Sequence, residues 1–406
     1  MTTVPPTPFG PGFPADPYSR LAPFRESCPV ARVTTPAGRP VWLVTRDEDV
    51  REAFLDPRLS MRGGRTGPYP PTRRALDVTL VGHDPPHHTR LRRLAAPWLT
   101  PVRVERYRPV VEAAAAGLLD AVARDDPADL MRFAHAFSFR AMCALLGVPQ
   151  ADRPWLYACA ESVFARPVRD RATARANLDR LDAYFHERVK RRRASSGGDH
   201  GGDPGGDHGD DVVSAIVSAW EPGGPVSRDE VVSLCATLLL AGYESTAQMI
   251  GMSMAALLAR PEALAALRAD PGTLPRAVEE LLRFQTPGPF GTMRTASRDV
   301  PVGGTVIPAG GRVLLSIAAA NRDPVRHADP DALDLGRASA ARHLTFGLGT
   351  HFCLGSALAR LELTVALHAI LTRFPRITPA VPLDRLDWRG NHLNRGLAEL
   401  PVRPHG

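Results

Sequence analysis

The sequence predicts a mainly α fold with a smaller β-rich region. Three observations carry that expectation: long stretches with apolar residues at helical spacing, a few short alternating runs, and no internal repeat. With 406 residues, of which 44% are hydrophobic and 23% charged, the chain buries a large share of its surface and needs no covalent staple. Length alone suggests two or three domains.

Residues 1–20 are rich in Pro and Gly and lack the basic patch and apolar core of a signal peptide. Val30–Thr34 and Val41–Thr45 alternate around Pro36-Ala37-Gly38-Arg39, a hairpin signal, and a short helix follows over Asp47–Leu55. Asp56–Pro86 has many Gly, Pro and Arg residues without periodicity and reads as a long loop, often a functional one. Helical patterns continue at His87–Leu99, Val102–Arg124, Leu130–Leu146, Trp155–Val163 and Arg169–Arg193. Ser195–Asp210, dominated by Gly, Asp and His, reads as a flexible linker in which nothing fixes His200 and His208 for a metal. Helices resume at Asp211–Ala219, Arg228–Ala259, Pro261–Ala269 and Leu274–Phe284. Strand-like pieces at Thr292–Ala296, Val300–Val306 and Arg312–Leu315 lead to an irregular stretch, Asn321–Arg342, and a final helix over Leu354–Phe374.

Composition narrows the function. Cys28, Cys143, Cys159, Cys235 and Cys353 form no close pair, so neither a disulfide framework nor a zinc cluster is indicated, and a cytoplasmic location is expected. The apolar run Val231–Ala259 is divided by Glu244 into stretches each below the ~18 residues of a membrane span. The net charge of +7 comes with no basic run interleaved with aromatics, so neither a nucleic-acid nor a membrane partner is expected. Lys190 is the only lysine.

Most lone cysteines are small apolar fillers. Cys353 differs because Gly347 and Gly349 permit a tight turn before it and a helix begins just after it, an arrangement that favours a thiolate. His351 is placed to donate, as a cationic neighbour, to a negative group beside the same site, and Gly355 removes a side chain where a flat ring could press on the helix. A planar anionic cofactor fits that surface. Glu244, in Ala241-Gly242-Tyr243-Glu244-Ser245-Thr246, is an acid inside an apolar helix, which is unfavourable unless it is paired or wet. Glu280 and Arg283 stand at i,i+3, spaced for a local ion pair. In Asp84-Pro85-Pro86-His87-His88-Thr89-Arg90-Leu91-Arg92-Arg93, His88 and Arg92 fall one turn apart on one helix face.

The run Phe346-Gly347-Leu348-Gly349-Thr350-His351-Phe352-Cys353-Leu354-Gly355 resembles the haem-binding signature of the cytochromes P450, with Phe, Gly, Gly, His, Cys and Gly at the same relative positions. The resemblance runs from the Asp84 segment to the closing stretch Arg395–Val402. It implies a single domain over residues 1–406 with the cytochrome P450 fold, haem b as cofactor, Cys353 as iron ligand, and Thr345, Phe346, Gly347 and Gly355 around it. It assigns His88, Arg92, Arg294 and His351 to the haem propionates, and Glu280, Arg283 and Arg337 to a structural triad. Ala241 and Gly242 would loosen the helix where O2 binds, with Glu244, Ser245 and Thr246 as the proton relay. Ser245 stands where the family usually has Thr, losing the methyl that helps to fix the hydroxyl's rotamer.

The same resemblance implies a monooxygenase acting on a small to mid-sized hydrophobic natural product such as a polyketide, macrolide or terpenoid. Ferredoxin and ferredoxin reductase would supply electrons, with Arg90, Arg93 and Arg360 as candidate contacts. A peroxygenase and a non-catalytic haem-binding protein are the alternatives, and the acid–alcohol pair speaks against both. The substrate would meet the loop Ser60–Val81, the segment Pro287–Met293 with Phe290, Gly291 and Thr292, the start of the Glu244 helix, and the neighbourhood of His392 and Leu393.

Overall fold

The computed structural model describes residues 7–63, 74–164, 171–195 and 211–406. Residues 196–210, which include most of the expected linker with His200 and His208, lie outside this set, as do residues 64–73 of the expected substrate loop.

The longest helix, Arg228–Leu258, is the axis of the helical region and is called the central helix below. It begins with a reciprocal cap: the Ser227 hydroxyl accepts from the Glu230 N–H, and the Glu230 carboxylate accepts from the Ser227 N–H. Apolar residues surround it, so it is buried on most faces, packing on Leu130–Leu145, Arg171–Ser195 and Ser356–Arg373. Phe137, Leu239 and Leu367 are fully buried in the core these helices share.

The β-rich region is organised around a five-stranded sheet in the order Val30–Thr34, Pro40–Val44, Arg312–Leu315, Arg294–Ala296, Leu59–Ser60. The first two form the expected hairpin, turned at Gly38 with φ 73°. Pro40–Val44 then pairs in parallel with Arg312–Leu315, Trp42 opposite Val313, which ties the N-terminal hairpin to a strand much later in the chain. A second core of Val44, Val50, Phe54, Val313 and Leu344 fills the space between this sheet and the helix Asp47–Leu55.

Helix therefore dominates over strand, as expected, and the departures have local causes. The Pro-rich start contains a helix, Pro17–Ser27, because the Asp16 carboxylate accepts from the N–H groups of Tyr18 and Ser19, and Pro17 sits at the first turn, where a missing N–H is harmless. The stretch Val102–Arg124 divides into Pro101–Glu105 and Arg108–Val122, since Pro109 cannot donate back across the break. His87–Leu99 is α-helical only to Ala95 and ends in a 3₁₀ turn containing Pro97. Val300–Val306 is a hairpin of Val300–Val302 and Thr305–Ile307, turned at Gly303 and Gly304, both at positive φ. The closing stretch is two strands in different sheets: Arg395–Leu397 pairs with Trp388–Gly390, and Pro401–Arg403 with Ala128–Asp129 and Thr378–Pro379. Among the described residues no single helix is long and apolar enough to cross a membrane.

Candidate active site

The cysteine loop is built locally. Gly347 and Gly349 adopt φ of 70° and 74°, a region open to glycine, and the turn they make lets the Cys353 N–H donate to the Phe346 carbonyl at 2.8 Å. The helix Ser356–Arg373 starts directly afterwards. Cys353 is exposed only in the sense that it borders a cavity of about 360 Å³ beneath the central helix. Gly355 borders the same cavity at an ordinary φ of −88°, and a Cβ placed on it would meet no atom within 4 Å. Its glycine leaves space; it does not serve a turn.

Burial works against two expectations about charge. Burial raises the Cys353 thiol pKa, opposed by the Gly355 backbone N–H and the guanidinium groups of Arg92 and Arg360, so the loop alone does not outweigh desolvation. A metal ion at the sulfur deprotonates it outright. His351, expected as a cation, has its pKa lowered to about 4 by burial, by its neighbour His88 and by the Arg294 guanidinium. The protein's own groups therefore favour a neutral imidazole, still able to donate one N–H, and a carboxylate beside it draws the pKa back up.

The expected propionate donors converge from three elements. His88, on the helix His87–Ala95, lies ring to ring with His351 at 4.2 Å and is likewise lowered to about 4 by burial. Arg92, one turn on, donates to the Thr350 carbonyl at 3.5 Å. Arg294, on the sheet, donates to the carbonyls of Phe54 and Leu59 at 3.1 and 3.3 Å; burial lowers its pKa to about 10, which leaves it charged at neutral pH. All four residues line the cavity. His88 Nδ1 and Arg294 Nε are buried without a hydrogen-bond partner among the described residues. Buried donors of this kind need an acceptor, and a carboxylate in the cavity satisfies them.

Behind the loop, Glu280 receives Arg283 through Nε at 2.7 Å and Nη2 at 2.8 Å, and Arg337 through Nε at 3.1 Å. Both members of the first pair are fully buried, which is tolerable because Arg283 also donates to the carbonyls of Asn321, Pro330 and Ala332. Asn321 carries this order to the site: its side chain accepts from the Leu344 N–H and donates to the Thr345 hydroxyl, beside Phe346. Thr345, Phe346 and Gly347 border the cavity.

Across the cavity, the central helix presents Ala241, Gly242, Ser245 and Thr246. The Ser245 and Thr246 hydroxyls each donate back to the carbonyl four residues earlier, Ala241 and Gly242, at 3.0 Å. Glu244 does not line the cavity. Its Oε1 accepts from Arg389 Nη2 at 3.0 Å and Gln248 Nε2 at 3.2 Å, and Oε2 lies 3.3 Å from His135 Nδ1. Burial holds the Glu244 carboxyl above its ordinary pKa against the pull of Arg389. These three partners went unseen in the sequence, being far from Glu244 in the chain or lacking a signal of their own. A second acid was also missed. Glu362, fully buried and lining the cavity, accepts from the Ser138 hydroxyl at 2.7 Å, and burial raises its pKa to about 8.

Of the expected substrate contacts, Phe290, Gly291 and Thr292 line the cavity, as do Met61, Leu80 and Val81 from the long loop. Leu393 is half-exposed and does not; His392, which packs on Phe9, and Met293 are also absent from the wall. Among the candidate donor contacts, Arg90 and Arg93 are exposed, whereas Arg360 is held by Glu279 at 2.6 and 2.9 Å and stacks on Phe346. The Arg360 charge is spent within the protein.

Residues 145–383 match the family model for cytochrome P450. The chain is 37% identical to 6-deoxyerythronolide B hydroxylase from Saccharopolyspora erythraea over the whole of both chains. It is 38% identical to the mycinamicin IV hydroxylase/epoxidase of Micromonospora griseorubida, covering 94% of each chain. The solved structure of the cytochrome P450 PksS, of the bacillaene polyketide synthase of Bacillus subtilis 168, superposes with a TM-score of 0.88 at 32% identity, covering 98% of this chain and 100% of that one. The chain belongs to the cytochrome P450 family.

This cytochrome P450 is a monooxygenase whose cofactor is haem b. The residues present suit that group: Cys353 for the iron, the space at Gly355 for the ring, and unpaired buried donors on His88 and Arg294 for the propionates. As family members do, it works with O2, a hydrophobic substrate and redox partners.

Proposed function

We propose that this cytochrome P450 hydroxylates or epoxidises a hydrophobic, partly oxygenated natural product of the macrolide or other polyketide class. The observation that carries the reading is the cavity wall: Leu80, Leu234, Leu238 and Phe290 make it apolar, while the Thr237 hydroxyl is buried there with no partner among the described residues. An orphaned hydroxyl in an apolar wall is best satisfied by one oxygen of an otherwise apolar ligand. The names of the Saccharopolyspora and Micromonospora relatives support the same class.

Haem b held by Cys353 supplies the activation of O2, which with two electrons and two protons becomes one inserted oxygen atom and one water. The chain's own residues position and meter. Arg92 and Arg294 neutralise the propionates, and His88 and His351 donate to them. The apolar wall excludes water and sets the C–H bond to be attacked. Glu244, above its ordinary pKa and touching the part-exposed Arg389, takes protons from the solvent side and passes them to the cavity face through the Ser245 hydroxyl, with Thr246 beside it. Ferredoxin and ferredoxin reductase in the cytoplasm supply the electrons, the ferredoxin docking near Arg90 and Arg93.

The test is a panel of macrolactones, terpenoids and fatty acids added to the haem-loaded protein, followed by optical difference spectroscopy. Macrolactones are expected to shift the Soret band as they fill the cavity and exclude water from it. A response to fatty acids alone overturns the substrate class. Turnover with ferredoxin, its reductase and NAD(P)H is expected to exceed turnover with peroxide; the reverse makes the enzyme a peroxygenase.

A further inference from the structure

Above the cavity, and outside everything assigned so far, lies a group of three metal-ligating side chains. His83 and His87 flank the turn before the His88 helix, and Glu230 stands in the first turn of the central helix. One donor atom from each lies within 4.8 Å of the others, the only such triple among the described residues. His87 Nε2 hydrogen-bonds Glu230 Oε1, His83 Nε2 is 3.8 Å from the same oxygen, and the two imidazole rings are 4.6 Å apart.

The two oxygens of Glu230 have divided duties. Oε2 accepts from the Ser227 N–H at 2.8 Å and from the Ser227 hydroxyl at 3.0 Å, completing the helix cap, so the carboxylate is held in place with Oε1 turned to the histidines. His83 is buried, whereas the His87 and Glu230 side chains keep 29% and 22% of their exposure, which leaves a route in and room for water as a further ligand. Two imidazoles and one carboxylate with an open position suit a first-row transition ion such as Zn²⁺ and not Mg²⁺ or Ca²⁺, which prefer oxygen donors alone.

We propose that His83, His87 and Glu230 bind a Zn²⁺-class ion that clamps the cavity roof. The segment Ala75–His83 carries Leu80 and Val81 into the cavity wall, and it is already tied to the central helix by the Ser233 hydroxyl donating to the Val78 carbonyl at 2.7 Å. An ion on Glu230, one turn before Ser233, adds a second tie between the same two elements. It fixes the roof without touching Cys353 or the propionate donors.

The experiment uses the haem-loaded full chain, freed of metal by chelation and titrated with Zn²⁺ alone in a calorimeter. One saturable site is expected, with affinity reduced at least about tenfold in His87→Gln and in Glu230→Gln. The variant His200→Ala/His208→Ala, in the Gly/Asp/His-rich segment, is expected to keep it. An unchanged Soret spectrum shows that each variant retains its fold, and Glu230→Gln keeps an acceptor for the helix cap. No saturable binding, or binding that survives both cluster substitutions, overturns the proposal; loss with His200 and His208 instead would place the ion in the Gly/Asp/His-rich segment.

Discussion

On the Cys353 side of the cavity, the proposed iron ligand, its turn and the space for the ring come from one continuous run, Phe346–Gly355. On the opposite side, Ser245 faces the cavity while the acid next to it is held by His135, Gln248 and Arg389, from three separate elements. The first side is set by backbone conformation and the second largely by the long-range contacts of His135 and Arg389, with Gln248 one turn along the same helix. Substitutions at the first should remove the cofactor's chemistry altogether. Substitutions at the second should leave the cofactor in place and change how efficiently it is used.

The largest effect is expected for Cys353→Ser, which should abolish the red-shifted Soret band of carbon monoxide-bound, thiolate-ligated haem and reduce product to background. A variant that keeps the band would break the comparison at its root. Next, Arg283→Ala leaves the Glu280 carboxylate buried with its main partner gone, and should cost about 3–5 kcal/mol in urea unfolding of the holoprotein. It should also accelerate haem loss, since the Asn321–Thr345 link joins that cluster to the loop.

Glu362 tests the helix that follows Cys353. Its carboxyl is neutral in the fold up to about pH 8, whereas unfolded it ionises above its ordinary 4.5. The folded state therefore holds one more proton between those values, and stability falls as pH rises from about 4.5 to 8 and then levels off. Glu362→Gln removes that term, and should be more stable than the parent at pH 7 by at most about 3 kcal/mol, with little difference below pH 4.5. Thermal unfolding across that pH range measures it, and a constant difference at every pH would refute the assignment.

Glu244→Gln and Arg389→Ala bear on the long-range side. Product formed per NAD(P)H is expected to fall about tenfold to a hundredfold in the first and less in the second, with the haem spectrum unchanged. A spectral change would mean that the two sides are not separable. The smallest effect is on docking: Arg90→Glu with Arg93→Glu should weaken ferredoxin binding a few-fold, and the parent's binding should weaken as salt rises.

This contrast also explains what was legible in the sequence. The cysteine loop could be read because its determinants are neighbours, and the amphipathic pattern placed nearly every helix within a few residues. Arg337 could be named only through the family's pattern, because the chain between Asn321 and Arg342 has no periodicity. His135 and Arg389, the distant partners of Glu244, gave no local sign, whereas Gln248 stands at the i+4 position of the same helix. Glu362 did give one, since an acid between Leu361 and Leu363 invites the argument used for Glu244. The burial of His351, which favours the neutral imidazole, is likewise invisible in its spacing from Cys353.

The parallel pairing of Trp42 with Val313 bears on how the protein is made. A chain leaving the ribosome exposes its first hairpin long before the strand that completes its sheet exists, so that hairpin must wait with an open edge. The cysteine loop emerges later still. The proposed iron ligand is thus made only after the strand that completes this sheet, and a chain interrupted before Arg312 carries both an exposed β edge and no Cys353.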